Sequence, residues 1–274
     1  MKTSLLIAVA VFNEAVHLPE LLRQLMPFKD DVVVIDDGSS DSSAEIATSN
    51  GFEVVKFPSN AGIAAVYRAV FSFATQNNKT HVIFMDGDGQ HNPVSIPFFE
   101  TALQKHSFVL GSRFSDPENV PDAKIASNLF AVLLIEDSFG VTMPDVACGY
   151  RGFQQGDSWP FVAGAFGYEV IYSTLIDQIV KGVNPHFIKM DAVYPPQEVY
   201  YTQNTELLGL LSAVARKTSN DLLHQIQTSV AEQSDINVHL GEFNFFAKSI
   251  PHGYVFQTDT DKAKHFFRNL NTIW

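Results

Sequence analysis

The segment His81-Val-Ile-Phe-Met-Asp86-Gly-Asp88-Gly-Gln90-His91-Asn-Pro93 is an apolar run that stops on two aspartates one residue apart. A short unbroken apolar run bounded by turn residues reads as a buried strand of a parallel sheet. The same outline occurs twice upstream. Leu5-Leu-Ile-Ala-Val-Ala-Val11 stops on Phe12-Asn13-Glu14, and Asp31-Val-Val-Val-Ile35 stops on Asp36-Asp37-Gly-Ser-Ser-Asp41. Leu18, Leu21, Leu22, Leu25 and Met26 recur at helical spacing between the first two runs, as one face of a helix on a sheet requires. Ser42-x-x-Glu45 has the spacing of a capping box that opens a second helix, ending near Asn50-Gly51. Phe52–Phe57 reads as a strand, and Ile63, Val66, Val70 and Phe73 mark a third helix. Strand and helix alternate, which predicts a doubly wound α/β layer with ligands at the carboxyl ends of its strands. The acidic clusters stand at those ends.

Past residue 105 the alternation loosens. A strand is expected at His106–Leu110, a polar loop at 115–122, and a helix over about 123–137. Cys148–Phe153 reads as extended or turn, followed by a helix over about 167–181 and a strand near Phe187–Val193. Pro195-Pro196 breaks the chain. A helix over 205–232, a Phe-rich stretch and an end helix capped near Asp259-Thr260 complete it. The expected organisation is a nucleotide-binding half at 1–105, an acceptor-side half of the same domain at 106–200, and a C-terminal extension of irregular and mixed elements at 201–274.

Thirty acidic against eighteen basic side chains among 274 residues give a net charge of -12. That field repels a nucleic-acid backbone and anionic lipid, so neither is expected as a main partner and membrane contact is peripheral at most. An anionic ligand must then be held by local arginines, backbone N–H groups or a metal. Lys2 followed by an apolar stretch with Ala8-Val-Ala10 has the outline of a signal peptide, but the run ends after eight residues and fits a buried strand better. Cys148 is the sole cysteine, which removes an intrachain disulfide and leans the chain toward the cytoplasm, with the inner membrane face as its furthest reach. The nine histidines show no metal-ligand spacing, and His91 stands behind the aspartates at best.

Asp86 and Asp88 can face one point if the backbone turns at Gly87 and Gly89. With the Gln90 carbonyl oxygen they would form a hard, oxygen-rich site suited to Mg²⁺ or Mn²⁺. An ordinary solvated acidic turn uses the same residues. Asp36-Asp37 and Asn13-Glu14 add acceptors at neighbouring strand ends, where a ribose or a base edge could be read.

These blocks together resemble glycosyltransferase family 2 enzymes of GT-A fold, especially the dolichyl- and polyprenyl-phosphate sugar transferases. The matching blocks are Ala10–Glu14, Ile35–Asp41, Asn60-Ala-Gly62-Ile-Ala-Ala65, Met85–Pro93 with Asn92 as an extra residue, Gly111-Ser-Arg113-Phe114, and Asp145-Val-Ala-Cys148-Gly-Tyr-Arg151. The resemblance implies a three-layer α/β/α sandwich with a Rossmann-like nucleotide-binding half. It also implies an inverting, metal-dependent transfer of a hexose from a UDP- or GDP-linked donor. Phe12, Glu14 and Asp37 would line base and ribose, and Asp86, Asp88 and Gln90 would hold the metal on the donor diphosphate. Arg113 and Arg151 would supply positive charge near a phosphate. Glu169, in Phe166-Gly-Tyr-Glu169-Val170, and Asp145 would be candidate bases.

In the first block the family's proline and tyrosine are Ala10 and Phe12, which keeps a ring to stack on a base and loses a phenol hydrogen bond. Two departures bear on the acceptor: the basic helix after the fifth block keeps only Lys124, and the transmembrane or amphipathic basic anchors common in that branch have no counterpart. A hydroxyl or unidentified acceptor is therefore expected, with a polyprenyl phosphate as the alternative. A sugar-phosphate nucleotidyltransferase would want a Gly-rich N-terminal loop with Arg and Lys, which the segment after Ala10 lacks. A non-catalytic nucleotide-sugar binder would have no use for the retained Asp86–Asp88 pair.

Overall fold

The computed structural model describes residues 4–156, 159, 164–194, 202–218, 221–270 and 272. The chain divides into two compact units, one comprising 1–111, 149–166 and 183–188, the other 112–148, 167–182 and 189–274. The stretch 106–200 contributes to both.

The first unit is built on a seven-stranded sheet. Its strands are β1 (Leu5–Val11), β2 (Val32–Asp36), β3 (Glu53–Lys56), β4 (His81–Asp86), β5 (Phe108–Ser112), β6 (Arg151–Gln154) and β7 (His186–Lys189), in the order β3-β2-β1-β4-β6-β5-β7. The parallel β3-β2-β1-β4 half is the Rossmann order. β6 then runs antiparallel between β4 and β5. Each apolar run quoted above is buried along its length, β1 included. Helices α1 (Leu18–Leu25), α2 (Ser43–Ser49), α3 (Ile63–Gln76) and α4 (Ile96–Leu103) cover the sheet. Successive strand residues face opposite sides, and β6 shows the layering. Phe153 meets Phe71 of α3, while Gly152 lies against Leu103 and Phe99 of α4. This is the expected α/β/α sandwich.

The second unit centres on α5 (Asp122–Phe139), which buries Asn128 through Ile135 without a break. A helix buried on every side belongs in the middle of its unit. The unit also holds α6 (Glu169–Val180), α7 (Asn204–Ala215), α8 (Asp221–Glu232) and α9 (Thr260–Leu270). Strands β8 (Thr202–Gln203), β9 (Ile236–Leu240), β10 (Phe243–Ile250) and β11 (Gly253–Gln257) form an antiparallel sheet in the order β8-β11-β10-β9. The C-terminal extension is thus more regular than its sequence reading. The Phe-rich stretch is a strand of period two, with Phe243 and Phe245 buried and Asn244 exposed.

Three local expectations change. The helix read over 205–232 is two helices, α7 ending at Ala215 and α8 beginning at Asp221. Ser42 makes no capping hydrogen bond; Asp41 caps instead, accepting from the Ser43 N–H and hydroxyl. The strand near Phe187–Val193 starts and stops earlier, at His186–Lys189. Pro195-Pro196 lies outside the described residues.

Phe130 of α5 joins the second unit's sheet to its central helix, packing on Phe245 edge-on and on Phe256 at 4.9 Å between centroids. Phe130→Ala should cost about 3–5 kcal/mol, read as a lower urea midpoint. A loss below about 1 kcal/mol would show that this contact does not anchor the sheet.

Candidate active site

Backbone register brings the acidic strand ends of the first unit together. β1 pairs with β2 on one side and β4 on the other, so that Val11 stands opposite Asp36 and Ala10 opposite Asp86. The chain turns away from β1 in both directions, which makes its carboxyl end the switch point where doubly wound sheets bind ligands. Asp37 N–H donates to the Val11 carbonyl and Gly87 N–H to the Ala10 carbonyl, continuing both ladders past the strand ends.

The loops after β1 and β2 are laced by side chain–backbone bonds. Asn13, in the left-handed region at φ 59°, accepts from Ser40 N–H at 2.8 Å, and its own N–H donates to the Ser39 hydroxyl at 2.9 Å. Glu14 N–H donates to the Ser43 hydroxyl, and Ala15 N–H to the Asp41 carboxylate. The Ser43 hydroxyl in turn holds the Asp41 carboxyl below its ordinary range, burial opposing. Phe12 is half exposed above this lacing, and the Glu14 carboxylate meets His17 Nδ1 at 2.8 Å. Asp37 is buried and accepts from the N–H groups of Ala61 and Gly62 at 2.8 and 2.9 Å, using two of about four acceptor positions. Gly38 is obligatory: at φ +74° a Cβ would meet the Ser59 carbonyl carbon at 2.3 Å. Asp36 is fully buried; one oxygen accepts from Ser39 N–H, while Oδ2 has no hydrogen-bond partner.

Asp86 and Asp88 lie close enough to disturb each other. Burial, then the Asp86 charge, pushes the Asp88 carboxyl above its ordinary value, against the pull of the Gln90 N–H that it accepts at 2.9 Å. Gly89 makes the turn at φ +82°, whereas Gly87 serves by size, since a Cβ there would lie 2.7 Å from Val11 Cγ2. His91 is buried and accepts from Asp86 N–H through Nδ1 at 2.9 Å, which leaves its other ring nitrogen to carry the proton. Its ring stacks on Tyr150, and Tyr150 on Phe99. Among the described residues no three His, Cys, Asp or Glu side chains cluster as a metal site. Two carboxylates that share a cation with phosphate oxygens and water need no third.

Gly149 was not singled out by its sequence. A Cβ there would lie 2.6 Å from Asp86 Oδ2, so this glycine makes the room the Asp86 carboxylate occupies. Arg151, expected near a phosphate, is the first residue of β6 and is fully buried, opposite Phe84 on β4 and Leu110 on β5; the antiparallel run of β6 carries it inward from Gly149.

The second unit holds the other expected residues. Arg113 donates to Asp145 through Nε at 2.8 Å and Nη2 at 2.9 Å, and through its backbone N–H at 3.2 Å. Burial, the largest single influence, would lower the Arg113 pKa, but the Asp145 charge and hydrogen bond, with Cys148 and Tyr194 adding, together outweigh it and the group sits well above its ordinary value. Asp145, fully buried, also accepts from Ala147 and Cys148 N–H. Both its oxygens are committed to holding Arg113 and the following turn. Glu169 is buried at the start of α6 and takes a hydrogen bond from Arg216, which is 39% exposed. Gly209 of α7 lets these helices approach, since a Cβ there would be 2.7 Å from Glu169 N.

Arg113 also opens onto a cavity of about 50 Å³ lined by Lys124, Tyr194, Thr202 and Glu206. Burial lowers the Lys124 pKa, with the Glu206 charge opposing and the Arg113 charge adding to the effect. The Tyr194 hydroxyl is pushed up to about 12, chiefly by burial. Tyr194 and Glu206 come from segments with no motif, so only the fold brings them to Lys124.

The Glycosyl transferase family 2 model matches residues 6–165. The undecaprenyl-phosphate mannosyltransferase of Micrococcus luteus is 26% identical over 166 residues, covering 53% of this chain and 64% of that protein. The undecaprenyl-phosphate 4-deoxy-4-formamido-L-arabinose transferase of Pseudomonas aeruginosa is 31% identical over 160 residues, covering 54% of this chain and 46% of that protein. Both matches thus span less than two thirds of the relative's length. In structure the chain is similar to glucosyl-3-phosphoglycerate synthase of Mycobacterium tuberculosis in complex with Mn²⁺, UDP-glucose and phosphoglyceric acid. The TM-score is 0.57 at 16% identity, over 80% of this chain and 82% of that one. The fold is that of the GT-A glycosyltransferases.

Because Asp88 is ionised at a cost beside Asp86, its raised pKa makes the ionised form a drain on stability at neutral pH, relieved as pH falls toward the unfolded value. Asp88→Asn should therefore raise the melting temperature of the metal-free protein, by on the order of 1–3 °C. The same variant should lose any Mn²⁺-dependent shift. A variant that melts lower without metal, yet still responds to Mn²⁺ like the parent, would refute the assignment.

Proposed function

We propose that this chain, which belongs to glycosyl transferase family 2, moves a hexose from a UDP- or GDP-linked donor to a hydroxyl acceptor with inversion at the anomeric carbon. The observation that carries the reading is the crowded Asp86–Asp88 pair at the carboxyl end of β4, with Gly149 leaving space at Asp86. A carboxylate such as Asp88, whose ionisation is disfavoured by burial and by the neighbouring Asp86 charge, is relieved by a divalent cation. Mg²⁺ or Mn²⁺, when bound, would neutralise charge on the departing diphosphate. Asp86 and Asp88 would hold it, with the Gln90 side chain as a further oxygen donor.

The remaining roles belong to the chain itself. Phe12 offers an exposed ring for the base, and Glu14 and Asp37 offer acceptors for base and ribose. Arg113, expected to supply positive charge to a phosphate, is gripped by both oxygens of Asp145, which fixes its direction and offsets its charge. Of the two carboxylates expected as bases, Glu169 is the better candidate, because its partner Arg216 has a solvent-exposed side chain able to swing away. Asp145 spends both oxygens on five donors and acts as a positioning residue for Arg113. Arg151 acts from within the sheet and is no direct phosphate ligand.

The names of the two bacterial relatives favour a polyprenyl phosphate as a second reading of the acceptor. Among the described residues no helix is long and apolar enough to cross a membrane.

Incubating the chain with Mn²⁺ and a panel of UDP- and GDP-hexoses, and following the anomeric proton by NMR, tests the reaction. An α-linked donor should give a β-linked product or β-hexose. A product of retained configuration would refute an inverting transfer, and absence of turnover across the panel would refute the donor class.

A further inference from the structure

The cavity in the second unit is lined by charges that cancel. Arg113 is matched by the buried Asp145 that grips it with both oxygens. Lys124 faces the charge of Glu206. Among the described residues that line the cavity no positive charge is left unmatched for a phosphate, and a dianion seated here would lie against the Glu206 carboxylate. A site built for phosphate has the opposite balance, with guanidinium and ammonium groups in excess.

The same groups suit a hydroxyl. An alcohol donates one hydrogen bond and accepts others, so it needs a donor and an acceptor side by side. Lys124 donates and Glu206 accepts, and the Tyr194 and Thr202 hydroxyls can do either. Tyr194, its pKa up at about 12, keeps its proton at neutral pH. Phe256 supplies an apolar wall, against which the C–H face of a polyol can lie.

Thr202, Glu206 and Phe256 all lie beyond the segment 6–165 matched by the family model. The C-terminal part therefore provides the carboxylate that sets the balance. We propose that this cavity seats the uncharged, hydroxyl-bearing end of the acceptor between Lys124 and Glu206, and that Glu206 is the specificity residue that excludes phosphate. The inference rests on the transferase reading for the word acceptor, and on the cavity alone for its chemistry.

The test uses the full chain without donor, with inorganic phosphate and glycerol as probes in ligand-observed NMR titrations. The parent should bind glycerol, and Glu206→Gln should bind phosphate at least tenfold more tightly than the parent does. Phosphate affinity equal in parent and Glu206→Gln would overturn the proposal, whether both bind it or neither does. Should Glu206→Gln fail to fold, as judged by its melting curve, the parent decides through Lys124→Gln. That variant should lose glycerol binding, and a parent that binds phosphate in preference to glycerol would equally overturn the proposal. Mn²⁺-dependent binding of UDP- or GDP-hexose, measured on the same preparations, reports on the transferase reading separately. Its failure with the probe pattern intact would sink that reading and leave the cavity's chemistry standing.

Discussion

The hydrogen bonding of β1 to a parallel partner on each side is the constraint from which the donor side of this protein follows. A parallel ladder fixes which residues stand level. Once Ala10 is opposite Asp86 and Val11 opposite Asp36, both acidic loops must leave the sheet at one edge. A slip of one residue would turn each strand's side chains over and point the carboxylates into the helical layers. The buried apolar residues of β1, β2 and β4 hold the register, so the core and the site are set by the same pairing.

Charge works locally in a protein whose net charge is -12. Arg113, expected near an anionic ligand, is engaged already by Asp145, and Arg216 is engaged by Glu169. Such pairing costs entropy and desolvation in isolation, but it aims a guanidinium before a ligand arrives, which is how a preorganised site stabilises developing charge. The crowded Asp86 and Asp88 form the complementary case. They are two like charges held together by a tight turn, and they become favourable when a cation joins them.

The strands of the first unit and their acidic ends were legible in the sequence because their signals are local. Apolar runs give buried strands, and the residues at their ends lie within one turn of the strand. What the sequence hid was non-local. Nothing near Gly149 says that Asp86 fills the space a Cβ would take, and Arg151 is carried into the sheet by an antiparallel strand that its motif does not announce. Asp145 looks like an available base until Arg113 is placed beside it, and the Arg216 partner of Glu169 is equally invisible in the sequence. The Ser42 spacing fitted a capping box, yet Asp41 reached the Ser43 N–H first. In the C-terminal part, the alternation of Ile236–Leu240 and Phe243–Ala247 is a plain strand pattern. Its aromatic density reads equally well as undifferentiated core until the partner strands are known.

The family match ends at residue 165, and the physical character of the chain changes with it. Before that point, the proposed donor site depends on backbone features that tolerate few residues: Gly38 at a positive φ, Gly149 against a carboxylate, aspartates at strand ends. Beyond it, the elements are an antiparallel sheet and helices packed around α5, a design whose exposed and cavity-facing positions can vary without disturbing the core. Donor recognition needs the first kind of construction because a diphosphate and its cation demand fixed geometry. Discrimination among acceptors needs the second, because changing one cavity-facing side chain there alters charge without altering the fold. Glu206 is such a side chain. It stands in the first turn of α7, where the helix dipole favours a carboxylate, while Leu207, Leu210 and Leu211 of the same helix are buried. The helix would pack as well with a neutral residue at 206, so what that position contributes is the sign of the charge in the cavity.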